Sequence, residues 1–125
     1  MQLHLLPYRL AVCRLAPDAP YPAWARGPLV SVTRTEDEVS VVCNAESVPS
    51  GVNREGAWRA LKVAGPLAFS EIGILAGLVT PLAEAEVSVF ALSTFDTDYL
   101  LVKQAALSQT ITALERAGHR VEDKA

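Results

Sequence analysis

The stretch VSVFALSTFDTDYLLV, residues 87–102, decides the fold of this chain. Its first part, residues 87–95, is rich in β-branched and aromatic residues, which favour strands. Asp96-Thr97 then supplies turn residues, and residues 98–102 return as a second strand-forming run. Two such runs joined by a short polar turn predict a β-hairpin.

A strand and a helix are predicted before this hairpin. Residues 59–63 alternate polar and apolar with the period of a half-buried strand, and Gly65-Pro66 ends the run. Ser70-Glu71 is typical of a helix start, because it offers a capping hydroxyl and an acidic first-turn residue. The apolar residues that follow at helical spacing form a stripe along one side of this helix: Ile72, Leu75, Ala76, Val79, Leu82 and Ala83. Ile74 and Leu78 lie outside this stripe, so a second partner, either the N-terminal half or another subunit, should cover the additional apolar surface.

A second helix and a final strand are predicted after the hairpin. Leu107, Ile111 and Leu114 mark an amphipathic helix, and Gly118 suits its C-terminal cap. A short final strand is predicted at residues 119–121. Residues 58–121 therefore predict one β-α-β-β-α-β unit, and residues 122–125 are expected to form a frayed tail.

The first 57 residues form a less regular region. The Pro-rich span at residues 16–28 has no helical periodicity, so we expect a loop where the first helix of an equivalent unit would stand. Glu36-Asp37-Glu38 is predicted to form a turn. Residues 1–57 are therefore interpreted as a reduced copy of the unit at residues 58–121. Its strand-like stretches are residues 10–15, 29–35 and 39–43.

The composition describes a globular protein and excludes several function classes. Of the 125 residues, 50% are apolar and 20% are charged, a balance that supports a core and argues against disorder. A formal charge of −3 without a basic run is unsuited to nucleic acid or to an anionic membrane. The longest apolar run, residues 72–81, is too short to span a bilayer, and no secretory signal is recognisable. A cytoplasmic protein with small-molecule or protein partners is expected.

Catalytic and metal-binding motifs are absent from the sequence. His4 and His119 have no motif around them, and the chain has no phosphate-binding glycine loop, nucleophile elbow or metal-ligand spacing. Cys13 and Cys43 lie in strand-like runs and are predicted to be buried free thiols rather than ligands or a disulfide. We therefore expect no enzymatic activity, no cofactor and no metal.

Three separated segments match a known family in order. They are SVTRT at residues 31–35, LKVAGPL at residues 61–67 and STFDTDYLLV at residues 93–102. The pattern resembles the ACT domains, specifically the small paired-ACT proteins that are similar to the amino-acid-sensing CASTOR group. The resemblance implies an α+β, ferredoxin-like ACT unit in the C-terminal half, preceded by a reduced ACT-like unit. It also implies binding of a free amino acid between paired units, no reaction, and action on an unknown protein partner.

Two loops form the candidate amino-acid site. The loop entering the first helix offers backbone N–H groups and the positive end of the helix dipole to a carboxylate, and Gly73 permits close approach. The hairpin offers carboxylates to a cationic group. By resemblance, Asp98 contacts the cationic part of the ligand in arginine-sensing relatives, so a basic amino acid is one expected ligand. The candidate residues are Glu71, Ile72, Gly73, Ile74, Thr94, Phe95, Asp96 and Asp98.

Other interpretations of the same residues stay open. Asp96 fits plain turn chemistry, and Glu71 fits a first-turn charge favoured by the helix dipole. The whole chain also fits a structural or protein-interaction module that dimerises through the extra apolar helix face and binds no metabolite. A homodimer is expected, because ACT-type units usually pair and this helix face needs cover.

Overall fold

The computed structural model of the chain describes residues 1–123. Contacts divide it into a larger unit, Met1–Pro7 together with the chain from Arg59 onward, and a smaller unit, Tyr8–Trp58. The 3₁₀ turns are Ala45–Ser47 and Gln104–Ala106. The helices and strands are β1 Gln2–Leu5, β2 Leu10–Leu15, β3 Ser31–Arg34, β4 Val39–Asn44, β5 Asn53–Val63, α1 Ile74–Glu84, β6 Phe90–Ser93, β7 Asp98–Lys103, α2 Leu107–Arg116 and β8 Arg120–Asp123.

The larger unit has the predicted element order. From β5 onward the chain runs β-α-β-β-α-β, and β6 pairs antiparallel with β7 as the predicted hairpin. The α+β, ferredoxin-like class is confirmed. None of the helices within residues 1–123 has the length and apolar character needed to cross a membrane.

Strand β1 corrects the expected domain boundary. It pairs antiparallel with β5, with Leu3 opposite Val63, and parallel with β8, with Leu3 also beside Val121. The strand order of the larger unit is therefore β6-β7-β5-β1-β8. The boundary expected at residue 57 does not hold for the first seven residues, because their backbone hydrogen bonds are made with the larger unit.

The core of the larger unit is formed by one face of its strands and by both helices. On each strand the core residues are two positions apart, as the alternation of side chains along a strand requires. The side chains from the helices are Leu78 and Leu82 of α1 and Leu114 of α2, which are fully buried. The strand residues of this core are Leu3, Leu5, Leu61, Val63, Leu100 and Val102.

Helix α1 differs from its prediction in its start and in part of its core face. It begins at Ile74 rather than at Ser70-Glu71, and Gly73 is its N-cap. Leu78, expected off the stripe, is 0% exposed, whereas Ile72 is 94% exposed. The core face of α1 therefore combines Leu75, Val79 and Leu82 of the predicted stripe with Ile74 and Leu78, the residues that were expected to need a second partner.

Pro81 lies inside α1 without ending it. Proline has no N–H, so the carbonyl of Gly77 loses its helical donor. His119 replaces that donor, with its Nε2 atom 3.0 Å from the Gly77 oxygen. A proline inside a helix favours a kink or an early end, but this helix continues to Glu84.

The final strand extends further than expected. Glu122 and Asp123, predicted to lie in the frayed tail, extend β8 and pair with His4 and Leu5. The other two tail residues, 124 and 125, lie outside the described residues.

The smaller unit is an antiparallel sheet without an α-helix among its residues. Strand β4 pairs with both β2 and β3, and β2 also pairs with β5. The Pro-rich span is a loop, as predicted, and the Arg34 guanidinium holds it by donating to the carbonyl oxygens of Pro17 and Ala19. Cys13 and Cys43 are buried free thiols, which confirms their prediction.

Candidate functional site

A cleft of about 390 Å³ lies where the loop after β5 meets the turn of the β6–β7 hairpin. It lies wholly within the larger unit. Ile72 is the one predicted residue outside its lining, because that side chain projects into solvent. The predicted residues that line the cleft together are Glu71, Gly73, Ile74, Thr94, Phe95, Asp96 and Asp98.

The hairpin turn is held by a small set of local hydrogen bonds. Ser93 and Asp98 face each other as the last paired residues of the two strands. Thr94 donates its N–H to the carbonyl of Thr97 at 2.8 Å, and the Thr94 hydroxyl accepts the Thr97 N–H at 3.4 Å. Asp96 is thereby fixed at the tip of a closed turn.

Two further hydrogen bonds join this turn to the loop after β5. Leu67 donates its N–H to the carbonyl oxygen of Asp96 at 2.7 Å, and the buried Thr97 hydroxyl donates to the carbonyl of Val63 at 2.7 Å. Gly65 lies against the same turn, where an added Cβ would be 3.1 Å from the Asp96 oxygen. The two walls of the cleft are therefore fixed relative to each other.

Three carboxylates line the cleft, and no Lys or Arg is among its described lining residues. The Asp98 Oδ1 atom accepts a 2.5 Å hydrogen bond from the Ser93 hydroxyl, which orients this half-buried carboxylate. Asp96 is exposed, and within residues 1–123 its carboxylate has no hydrogen-bond or ion-pair partner. The cleft is therefore complementary to a cationic group.

The start of α1 forms the opposite wall. Gly73 has a φ of +80°, a conformation that glycine adopts without strain, and no side chain caps the helix. The first helical bond runs from Gly77 N–H to Gly73 oxygen, so the N–H groups of Ile74, Leu75 and Ala76 have no acceptor within the helix. These N–H groups suit a carboxylate.

Glu71 has a different local role from the one predicted. It precedes α1 instead of occupying the first turn, and its Oε1 atom accepts the N–H of Ala68 at 3.0 Å. Its carboxylate therefore closes the loop that lines the cleft. A charge in the first turn of the helix is not what this residue provides.

An aromatic pair at the cleft was missed by the sequence analysis. The rings of Phe69 and Phe95 meet edge to face, with centroids 4.8 Å apart and planes at 83°. Their side chains remain 77% and 78% exposed. An aromatic residue in the loop between Gly65-Pro66 and Ser70-Glu71 was the available signal. It was overlooked because a loop residue has no periodicity.

Family comparison places this fold and cleft in a known group. The model of the ACT domain family matches residues 53–116, which is more than half of the chain. The chain belongs to the ACT domain family. A second family model, described as an N-terminal domain, matches residues 9–51. The larger unit is called the ACT unit below.

Known relatives are similar over different shares of the chain. The human protein "Cytosolic arginine sensor for mTORC1 subunit 1" is 35% identical over 89 residues, 65% of this chain. The chain spans 27% of that relative's length. The crystal structure of protein Atu0741 from Agrobacterium tumefaciens is 38% identical, with a TM-score of 0.93 over 99% of this chain and 93% of that one.

A third similarity concerns the fold alone. The regulatory subunit of aspartate kinase from Thermus thermophilus has a TM-score of 0.63 and 9% identity, over 89% of this chain and 93% of that one.

Among residues 1–123 no three His, Cys, Asp or Glu side chains cluster as metal ligands would.

Proposed function

We propose that this chain is a non-enzymatic, cytoplasmic regulatory protein that binds a free amino acid in the ACT cleft and acts on a separate protein. The observation that carries the proposal is the juxtaposition of Asp96 and Asp98 with the uncapped start of α1. A free amino acid carries a carboxylate and an ammonium group, and it therefore matches both walls. The similarity to a protein named as an arginine sensor supports a basic amino acid.

The charges of the cleft favour one orientation of that ligand. Its carboxylate would accept hydrogen bonds from the N–H groups of Ile74 to Ala76, and its cationic side chain would lie at the hairpin. Ser93 already orients one oxygen of Asp98, which reduces the entropy lost when a cation binds there. Thr94 and Phe95 would form the adjoining wall.

A second candidate function is a protein-interaction or dimerisation module without a metabolite. The helix face first expected to carry it, at Ile74 and Leu78, packs on the core within the ACT unit. The observation that favours this candidate is instead the exposure of Phe69, Ile72 and Phe95, which are 77%, 94% and 78% exposed. A homodimer would cover them.

The test is a thermal-shift screen of the purified protein against each free amino acid. A ligand present at 100 times its Kd stabilises the folded state by about 2.7 kcal/mol. We expect stabilisation by basic amino acids and at least about a tenfold loss of affinity in Asp98→Asn, because a charge-assisted hydrogen bond contributes about 1.5–3 kcal/mol. Asp37→Asn is the matched control, since it removes the same charge from an exposed turn of the smaller unit.

Two results would contradict the proposal. One is the absence of stabilisation by any amino acid, and the other is unchanged affinity in Asp98→Asn. If no amino acid stabilises the protein and the protein forms a dimer that Ile72→Ser dissociates, the interaction module is the better description. If Asp98→Asn lowers stability equally with and without ligand, the aspartate is structural.

A further inference from the structure

A second cavity of about 750 Å³ lies at the other end of the ACT unit. Its polar lining residues are Arg59, Gln104, Ser108, Thr112 and Asp123, and its other lining residues are apolar. Arg59 precedes Val63, which adjoins the cleft, by four positions along β5, a separation of about 13 Å in a strand. A volume in this range is typical of small-molecule sites.

The Arg59 guanidinium is held in place by neutral groups. Its Nη1 donates to Gln104 Oε1 at 3.1 Å, and its Nη2 donates to the carbonyl oxygen of Leu6 at 3.0 Å. Its Nε is buried and has no hydrogen-bond partner among residues 1–123. In the same part of the chain no carboxylate lies within 4.0 Å of it. The guanidinium is therefore a fixed, half-buried positive charge that faces this cavity.

Two hydroxyl groups extend the donor set. Ser108 and Thr112 are four residues apart on α2, so their side chains lie on one face of the helix. Both line the cavity, and neither hydroxyl makes a hydrogen bond within residues 1–123. A guanidinium beside free hydroxyls is the donor combination that binds carboxylate and phosphate oxygens.

We propose that this cavity binds the oxyanion group of a small metabolite, a carboxylate or a phosphate, with Arg59 as its main contact. The site is separate from the amino-acid cleft and does not depend on the function proposed for it. Asp123 lines the same cavity and opposes anion binding by charge repulsion. Its presence favours a ligand of low net negative charge.

The test is calorimetric titration of the full chain with inorganic phosphate and, separately, with acetate, at constant ionic strength. We expect saturable binding of at least one anion. Affinity should fall about tenfold in Arg59→Gln, because a charged donor is lost, and rise in Asp123→Asn, because a like charge is removed. Binding of phosphate alone, or of acetate alone, identifies the oxyanion.

A second variant protects the test against misfolding, since Arg59 also holds Leu6 and Gln104. Ser108→Ala combined with Thr112→Val removes no hydrogen bond within the described residues, and about a fivefold loss of affinity is expected. Asp98→Asn, at the other site, should leave anion binding unchanged. Absence of saturable binding, or equal affinity in wild type and in the folded Arg59 and hydroxyl variants, would overturn the proposal.

Discussion

His119 donates its Nε2–H to the carbonyl oxygen of Gly77, the acceptor that Pro81 leaves without a helical donor. The residue that precedes β8 thereby repairs a defect in the middle of α1. The Nδ1 atom of the same ring lies 3.0 Å from the Met1 ammonium, which requires Nδ1 to accept. With Nδ1 as an acceptor, the proton donated to Gly77 lies on Nε2.

This repair predicts a coupling between positions 81 and 119. His119→Ala should lower the free energy of unfolding by about 1 kcal/mol, because a hydrogen bond to Gly77 is lost. In a Pro81→Ala background the new N–H restores the helical bond, so the same change should cost less. A double-mutant cycle by urea unfolding measures the difference, and the Met1 contact cancels in it. Equal costs in both backgrounds would refute the repair.

The observed start and core face of α1 predict unequal effects of two similar truncations. Leu78→Ala should reduce stability by about 2–5 kcal/mol, because Leu78 is fully buried in the core. Ile72→Ala should change it by less than about 0.5 kcal/mol, because that side chain is exposed. Denaturant unfolding of the two variants checks this. The reverse order would support the stripe first predicted from periodicity.

Two glycines of the ACT unit should respond oppositely to alanine. Gly65→Ala should destabilise by about 1–3 kcal/mol, because the new Cβ would lie 3.1 Å from the Asp96 oxygen and 3.2 Å from Thr97 Cβ. Gly77→Ala should stabilise by about 1 kcal/mol, because alanine favours a helix and its Cβ would meet nothing within 4 Å. Calorimetric unfolding tests both. A neutral Gly65→Ala would show that the turn has room to move.

Burial raises the pKa of the Cys13 thiol from 9.0 to about 11, and the neighbouring Cys43 adds to the rise. The stability that comes from keeping this thiol neutral is fully present below pH 9. It is lost as the pH rises towards 11, because the unfolded thiol ionises first. A difference of two pKa units corresponds to about 3 kcal/mol. Unfolding of wild type and Cys13→Ala from pH 8 to 11 measures it, and parallel curves would contradict the assignment.

The hairpin and most of the cleft were predictable because their signals are local. Asp96-Thr97 marks a turn between two strand-forming runs wherever it occurs, and a helix start leaves free N–H groups whatever its tertiary setting. Resemblance to the ACT domains then related these two loops to one site. Thr97 and Ser93 were missed as supporting residues, because hydrogen bonds to Val63 and Asp98 depend on tertiary structure and strand register.

Which residues complete the core face of α1 was not predictable for a physical reason. Apolar residues occupy most positions of this helix, so several stripes fit the 3.6-residue period equally well. Strand β1 was missed because it has four residues and its partners, β5 and β8, are distant in sequence. The pattern of residues along the chain specifies neither which helix face packs on the core nor which distant strands pair with β1.

The position of β1 has a consequence for how the protein is made. This strand is synthesised before β5 and β8, yet it lies between them in the sheet, so its apolar Leu3 and Leu5 remain unpaired until β5 and finally β8 have been made. The ACT sheet is complete only when Asp123 has been added. A fragment cut to the family boundaries, residues 53–116, would lack two of the five strands and leave an edge of β5 open to aggregation.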